Sequence, residues 1–341
     1  MKAPLPVSLL ARLVSIAGVV LAACGGPGPA NELRIPTGAG GVGFLPLLVM
    51  KDQALVEKHA RALGIDDVVV RWIDLGGPAV MNDALLSGSV DFIAAGPPAF
   101  ITLWDRTRDS AGVKGVAAMT SLPMYLNTAA EHLRKLEDLT EQDKIAVTAI
   151  KVSIPAIAMQ MYAAERYGAD EAGRFDRYTV TMTHPDGVIA LLSGSNQVNA
   201  HFTSPPFHQR ELQDPRIRTV LDTNDIMGGS TTFTMLSTTT RFREQNPALY
   251  AAVLAALEEA NELIRTDVEG AARVLFAADE GAGFSVEKLT EVLRDPDIKF
   301  TTTPQNVQKY AEFMHAIGSI QTRPSSWRDL FFPELHDAPG S

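Results

Sequence analysis

The chain has 341 residues but a single cysteine, Cys24. One cysteine, placed after an N-terminal apolar stretch, excludes a disulfide framework, a CxxC redox pair, a thiolate metal site and a cysteine nucleophile. The seven histidines show no HExxH or other metal-ligand spacing, and the sequence also lacks GxSxG and P-loop motifs. We therefore expect no catalytic residue, no metal site and no cofactor.

Positive charge is also scarce, with 30 Lys and Arg against 40 Asp and Glu and a formal net charge of −10. Nucleic-acid binding calls for a basic footprint, so nucleic acid is not an expected partner. An anionic ligand is still compatible with this charge, because a small anion responds to local groups. Hydrophobic residues make up 46% of the chain, enough for the cores of two lobes.

The N-terminus has the pattern of a secretory signal. Lys2 precedes a short apolar run, LLARLVSIAGVVLAAC, and Arg12 lies within it. The shortness of this run favours a cleaved signal over a membrane span. Its last residues, LAAC, resemble a bacterial lipobox, and this predicts a lipoprotein signal peptide over 1–23, lipidation of Cys24 and a flexible tether over 24–31. The protein is then expected in the periplasm or cell envelope, held to a membrane by its lipid. The alternative is an ordinary secreted protein with an incidental cysteine.

The stretch ALLSGS occurs twice, at 84–89 and 190–195. VDFIAAGPP follows the first copy and NQVNAHFTSPP the second, so each copy predicts a helix end, a strand and a PP turn within a βαβ unit. The alternative is that ALLSG recurs by chance as a common helix ending. Strands and helices alternate on both sides of the repeats, which predicts an α/β fold with parallel sheets. The pattern predicts one helix over 47–64, another that ends near Gly168, and a strand over 231–240 that returns the chain to the first lobe. We expect lobe one over 32–130 plus 229–341 and lobe two over 131–228, with two crossings and an interlobe cleft.

The candidate ligand-binding residues of lobe one follow two predicted strands. The glycine run 38–43 formally fits G-x-G-x-x-G, but Pro46 interrupts the expected helix start, so a loop of backbone N–H groups facing a small anion is the better interpretation. The other candidates lie in the turn after the first repeat. The candidates are Gly40, Gly41, Phe44, Pro98 and Ala99.

Lobe two supplies more polar candidates. Ser153 precedes Ile-Pro at a predicted helix start, where free N–H groups favour anions. His184 and the segment His-Phe-Thr-Ser at 201–204 follow predicted strands and should meet at the cleft edge. For Ser153 a plain helix cap, and for the histidines a structural role, stay open as alternatives. The candidates are Ser153, His184, His201, Thr203 and Ser204, with Thr232 near the second crossing.

Several stretches together resemble the substrate-binding lipoproteins of ABC importers, in the nitrate/sulfonate/taurine group that includes thiamine-pyrimidine binders. They are the glycine loop with FLPLLVMKDQAL, LLSGSVDFIAAGPPAF, DKIAVTAIKVSIPAIAMQM, HPDGVIALLSG with NAHFTSPPF, and SSWRDLFFPE. The resemblance implies a two-lobed periplasmic-binding-protein-like (type II) fold. It also implies a monomeric, non-enzymatic receptor, with a small-molecule ligand and with ABC permease and ATPase subunits as partners. In that group the anion is held by helix N-termini and hydroxyls, which implies contacts at Gly40, Gly41, Ala99, Ser153 and Thr203.

Two features depart from the group and keep alternatives open. His184 and His201 do not belong to the general sulfonate pattern, so a carboxylate or a heteroaromatic ligand such as a thiamine pyrimidine is an alternative to sulfonate, taurine or nitrate. Eukaryotic pyrimidine-synthase relatives carry a cysteine-rich motif that this chain lacks, which weakens an enzymatic interpretation. An enzyme or sensor on the same scaffold, or the partner of an ion-driven TRAP-type transporter, are the remaining alternatives.

We predict that Ser153→Pro or His201→Ala weakens ligand binding while the ligand-free protein stays folded, because both residues are expected at the cleft rather than in a core. The measurement is the ligand-induced shift in melting temperature. Equal shifts for variant and wild type would contradict the assignment.

Overall fold

The computed structural model describes residues 31–75, 77–194, 197–278 and 281–341. The predicted signal peptide, the lipidation of Cys24 and the tether before residue 31 lie outside these residues. Within the described part of the chain, no helix combines the length and the apolar character that crossing a membrane requires.

Strands and helices alternate along the chain as the sequence predicts. The strands are β1 (Glu32–Pro36), β2 (Val69–Ile73), β3 (Phe92–Ala95), β4 (Val113–Ser121), β5 (Tyr125–Thr128), β6 (Ile145–Val147), β7 (Thr179–Thr181), β8 (Ala200–Thr203), β9 (Arg218–Asp222), β10 (Thr232–Thr239) and β11 (Lys299–Phe300). The helices are α1 (Leu45–Asp52), α2 (Leu55–Ala62), α3 (Pro78–Leu86), α4 (Pro97–Thr107), α5 (Ile154–Tyr167), α6 (His184–Leu192), α7 (Phe207–Glu211), α8 (Thr223–Met227), α9 (Thr240–Gln245), α10 (Pro247–Thr266), α11 (Val268–Ala277), α12 (Val286–Leu293) and α13 (Val307–Ala316). Short 3-10 turns lie at Val42–Phe44, Leu136–Asp138, Ala169–Tyr178, Trp327–Leu330 and Pro333–Leu335.

The first sheet has the strand order β11-β4-β10-β3, and the parallel pair β1-β2 lies beside it. Asp91, just before β3, joins the two: its N–H donates to Arg34 O at 2.9 Å, and its carboxylate pairs with the Arg34 guanidinium at 2.7 Å. The α/β fold is confirmed, but this sheet is not the parallel sheet that was expected, because β10 runs antiparallel to both β3 and β4. The physical reason is that β10 brings the chain back from the second sheet and enters from the opposite end.

The second sheet has the order β7-β6-β8-β5-β9. β6 is parallel to β7 and β8, whereas β5 runs antiparallel to β8 and β9. The predicted boundary at residue 130 would leave β5 in lobe one, but its pairing puts it in the second sheet. We therefore propose that the first crossing lies between β4 and β5, and that the second lies between β9 and β10, where the boundary at 228 and 229 was expected.

Two local expectations change. The single helix expected over 47–64 is two helices, α1 and α2, because Ala54 between them has a left-handed backbone with φ of 47°. The PP turn expected after the first repeat is the start of a helix, with Pro97 and Pro98 in the first turn of α4. Proline is tolerated at this position because the first N–H groups of a helix have no helical acceptor.

The two copies of the repeat end their helices in the same way. In the first copy Ser87 Oγ donates to Ala84 O at 3.1 Å, and in the second Ser193 Oγ donates to Ala190 O at 3.0 Å. The glycine that follows has a positive φ in both copies, 72° and 65°. The repeat is therefore a shared local element, the C-terminal end of α3 and of α6, which are followed along the chain by β3 and β8.

We predict that Gly88→Ala lowers the free energy of unfolding by about 1 kcal/mol, because an L side chain is strained at this φ. A Cβ there has nothing within 4 Å, so the effect is conformational rather than steric. Gly88→Asn is the matched control and should lose less, since Asn adopts the left-handed region more readily. Urea denaturation measures both, and equal losses for Ala and Asn would contradict the argument.

Candidate functional site

A small cavity lies between the two sheets, where three helices begin. α4 starts after β3 of the first sheet, while α5 and α6 start after β6 and β7 of the second, so their first turns point toward the same space. The cavity has a volume of about 60 Å³. It is lined by Ala39, Phe44, Met81, Ala94, Ala95, Gly96, Ala99, Met124, Thr148, Val152, Ser153, Ile154, Pro155, His184, Phe233 and Thr234.

The walls of this cavity are largely apolar, and no Lys, Arg, Asp or Glu is among the described residues that line it. Two of its hydroxyls are already engaged: Ser153 Oγ donates to Ala149 O at 2.6 Å, and Thr234 Oγ1 donates to Gly43 O at 2.6 Å. Thr148, half-buried at the end of β6, and His184 are the remaining polar side chains on the wall. The cavity therefore suits a small ligand that makes few hydrogen bonds.

Helix N-termini supply the rest of the polarity. The first turn of a helix carries N–H groups without helical acceptors and a partial positive charge. In α4, Pro97 and Pro98 have no N–H, which leaves the first-turn donor to Ala99. In α5, Ser153 caps the helix and accepts from Ala156 N at 3.4 Å. The cleft thus offers a modest positive field and few donors.

Behind His184 lies a row of buried polar side chains. His184 Nδ1 is 3.0 Å from His201 Nε2, and His201 Nδ1 is 2.5 Å from Glu211 Oε1. The other carboxylate oxygen of Glu211 accepts from Asn127 Nδ2 at 2.8 Å. His184, His201 and Glu211 are 6%, 1% and 0% exposed. A buried carboxylate thus orients an imidazole, which in turn contacts the imidazole on the cavity wall.

Burial lowers the pKa of His184 well below its ordinary value, and the electrostatic interaction with His201 lowers it further. His184 is therefore neutral near pH 7. Because the unfolded chain binds this proton at about pH 6.5, the unfolded state gains protons first as the pH falls, and the folded state loses stability below about pH 6.5. His208, stacked 3.8 Å from the Tyr125 ring, behaves alike: burial lowers its pKa to about 4.

The structure brings four of the predicted ligand residues to the cavity wall: Phe44, Ala99, Ser153 and His184. The others lie outside its lining. Gly41 packs on the opposing turn, where Val42 N donates to Pro205 O at 3.2 Å, and Thr232 Oγ1 accepts from Gln305 N at 2.8 Å. Direct ligand contact stays a prediction for all of them. The residues outside the lining are Gly40, Gly41, Pro98, His201, Thr203, Ser204 and Thr232.

His201, Thr203 and Ser204 are buried directly behind the wall. Ser204 Oγ lies 3.5 Å from His184 Nε2, at the outer limit of a hydrogen bond. Thr203 Oγ1 is buried and, within the described part of the chain, has no hydrogen-bond partner. His201 and Ser204 therefore contact the wall side chain His184, and none of the three residues is in the cavity lining.

Several wall residues are not among the candidates that the sequence pointed to. Thr148 could have been found from the sequence, because it is a polar residue directly after a predicted buried strand. The same criterion made His201 a candidate. Met81 and Met124 give no such signal, because a methionine in a helix or a loop looks like ordinary core. Phe233 is next to the candidate Thr232, but only the register of β10 shows which of the two faces the cavity.

No family model and no curated protein matches the sequence. Solved structures do match. They include an alkanesulfonate-binding protein from Xanthomonas axonopodis pv. citri (19% identity, 86% of this chain and 95% of that one, TM-score 0.64). A periplasmic nitrate-binding protein from Synechocystis has 15% identity, with 88% and 83% coverage and a TM-score of 0.62. A Candida albicans protein described as having the generic periplasmic binding protein fold has 12% identity, with 89% and 96% coverage and a TM-score of 0.64.

The chain has the periplasmic-binding-protein fold. This follows because each of these structures aligns over most of its own length and over most of this chain. The α/β architecture with mixed sheets is consistent with that fold. The resemblance to the nitrate- and sulfonate-binding group is thus confirmed at the level of the periplasmic-binding-protein fold, while the low identities leave the ligand to be argued from the site.

The buried row changes the expectation for His201→Ala. Removing this imidazole leaves the carboxylate of Glu211 buried without its partner, so we now predict a loss of about 3–5 kcal/mol in the free energy of unfolding. His132→Ala is the matched control: His132 also pairs with a carboxylate, Asp143, but is 50% exposed. Asp143 keeps its hydrogen bonds from Thr140 and Asn199 without it, so the loss should be under about 1 kcal/mol. Denaturant unfolding at pH 7 measures both, and similar losses would show that Glu211 does not depend on His201.

Proposed function

We propose that the protein is the extracytoplasmic solute-binding component of an ABC importer, which captures a small anion in the cleft between its two lobes. The observation that carries the proposal is the convergence of three helix N-termini and His184 on one apolar cavity. Helix N-termini and a single imidazole hold an acceptor group without a full ionic partner. The role is binding and release rather than turnover.

The size and polarity of the cavity narrow the class of ligand. At roughly 15 Å³ per water-sized sphere, a volume of about 60 Å³ holds a group the size of a few waters. A dianion would need an ion-pair partner when buried, and the described wall has no basic side chain. These features favour a monoanion with a short apolar body, such as a small carboxylate or alkyl sulfonate.

The transport role also draws on the related folds. The matched proteins from Xanthomonas and Synechocystis are described as binding alkanesulfonate and nitrate. By analogy, ligand binding would favour the closed arrangement of the lobes, and a permease with its ATPase would recognise that arrangement. The expected lipid anchor at Cys24 would keep the receptor near the membrane, as a monomer.

A heteroaromatic ligand is the second candidate, and one observation favours it. Phe44 and Phe233 meet edge to face across the cavity wall, with ring centroids 6.4 Å apart, and Met81 and Met124 lie on the same wall. Aromatic rings and thioethers pack well against a planar ring. Against it stands the small volume, which a pyrimidine would fill only with the lobes further apart.

A thermal-shift screen tests the proposal. The probes are nitrate, acetate, propionate, methanesulfonate, benzenesulfonate and an aminopyrimidine, each with matched ionic strength. A small monoanion should raise the melting temperature, since a ligand at a hundred times Kd adds about 2.7 kcal/mol of stability. Stabilisation by the aminopyrimidine alone would favour the second candidate. Conversion of a bound probe to product would overturn the receptor role in favour of an enzyme.

We predict that Thr148→Val reduces the stabilisation by the best probe, because it removes the free hydroxyl of the wall while keeping its shape. The loss of one hydrogen bond to a charged ligand corresponds to about 1.5–3 kcal/mol, or roughly a tenfold or greater rise in Kd by calorimetry. Thr290→Val in α12 is the control, since its hydroxyl donates to Val286 O at 2.8 Å away from the cavity lining. An unchanged Kd for Thr148→Val would remove this residue from the binding site.

A further inference from the structure

The buried row that ends at His184 determines whether the cavity wall presents a hydrogen-bond donor or an acceptor. Two hydrogen bonds stand in series, His184 Nδ1 to His201 Nε2 at 3.0 Å and His201 Nδ1 to Glu211 Oε1 at 2.5 Å. Each bond holds one proton. The outer nitrogen, His184 Nε2, faces the Ser204 hydroxyl at 3.5 Å, a contact too long to fix its proton. Its state must therefore follow from the row itself.

Counting protons gives two possible states. With two protons, Glu211 is a carboxylate, both imidazoles are neutral, His184 Nδ1 carries the shared proton, and Nε2 is a bare acceptor. The row then has a net charge of −1. With three protons, His184 is neutral with its proton on Nε2 and the net charge is zero. The proton shared by His201 and Glu211 then belongs to His201, because the ordinary pKa of Glu lies below that of His, so His201 is an imidazolium paired with a carboxylate.

Burial distinguishes these states. All three side chains are 6% exposed or less, and an unbalanced buried charge is far more costly than a paired one. Glu211 Oε2 already accepts from a neutral amide, Asn127 Nδ2, at 2.8 Å, which does not balance its charge. The three-proton state supplies the balance within the row, through His201.

The neighbouring titratable groups do not supply that charge. On α7, His208 has its pKa lowered to about 4 by burial and is neutral at pH 7, and Arg210 is bound to Gln213 at the surface. On α6, Asp186 is an exposed carboxylate that accepts from the Thr183 hydroxyl at 2.7 Å. On β5, Tyr125 stacks on His208. Of these described neighbours, none is a cation next to Glu211.

We propose that Glu211 is a positioning residue, which acts through an imidazolium at His201 to fix His184 as an Nε2–H donor on the cavity wall. The wall then recognises a hydrogen-bond acceptor, and an anionic acceptor best of all. This consequence for the ligand rests on the proposed binding function. The assignment of protons does not, because it concerns the ligand-free protein.

The test is the protonation of the histidine ring nitrogens in the full chain, read from long-range 15N–1H correlation spectra at pH 7 without ligand. Protonated and unprotonated ring nitrogens have well-separated 15N shifts, so the two states give different patterns. The His184 signals are assigned by their loss in His184→Gln. We expect a neutral His184 protonated at Nε2 and a His201 protonated at both nitrogens.

The Glu211→Gln variant removes the negative charge with little change of shape. Because Asn127 Nδ2 donates to the Oε2 position, the Gln amide oxygen lies there and its N–H group donates to His201 Nδ1. We therefore expect a neutral His201 that is protonated at Nε2 alone, and a His184 that keeps its proton on Nε2. Glu259→Gln is the matched control, since it removes the carboxylate beside His59 at the surface and should leave the His201 pattern unchanged. Wild-type His184 protonated at Nδ1, or a Glu211→Gln spectrum identical to the wild type, would overturn the proposal.

The wild-type spectrum decides the assignment alone if Glu211→Gln does not fold. At the level of binding, the probes are acetate and methanesulfonate, whose apparent affinity should fall at least tenfold in a folded His184→Leu variant, because this variant removes the Nε2–H donor. If neither anion binds the wild type while the expected spectrum is found, the proposed anion specificity fails and the proton assignment stands. If they bind the wild type and His184→Leu equally, His184 does not donate to the ligand and the proposed consequence for the ligand fails.

Discussion

The position of the cavity in this protein depends on the two strands, β5 and β10, at which the chain passes from one sheet to the other. β5 enters the second sheet and β10 re-enters the first, and each runs antiparallel to both of its neighbours. Because the chain crosses at these strands, both sheets place their helix starts beside one gap. The hydrogen bond from Val42 N to Pro205 O, at 3.2 Å, joins the facing loops across that gap. The cavity follows from this constraint, since no single sheet builds it.

Within that frame the site has an unusual distribution of charge. The wall is apolar, the prolines of α4 remove two N–H donors, and the one titratable side chain on the described wall, His184, is kept neutral by burial. The hydrogen-bonded pair of Glu211 and His201 lies behind the wall, where both side chains are almost fully buried. An acceptor ligand would thus meet oriented dipoles and a polarised imidazole instead of a cation, which suits reversible capture of a weakly hydrated group.

Much of the fold was predictable, because its signals are local. Ser153 before Ile-Pro gave the start of α5, Gly168 its end, and the alternation of apolar runs gave most strands. The strand expected over 231–240 is β10 and returns to the first sheet as expected. The helix predicted over 47–64 was wrong at Ala54, since an alanine gives no sign of a left-handed backbone. The partner of β5 was also beyond prediction, because pairing across the crossing is set by distant residues.

The repeated ALLSGS shows the same division. By itself the sequence determined that two helices end alike, since a serine bonding back to its helix and a glycine with positive φ act within one turn. The imidazole and hydroxyls of the second copy also favour that copy as the source of ligand specificity, which stays a prediction. Only the tertiary structure decided that His184 is on the wall while His201 is behind it, and that Glu211 is the partner of His201. Those relations join α6, β8 and α7, and hydrogen bonds between separate elements have no periodicity that a sequence displays.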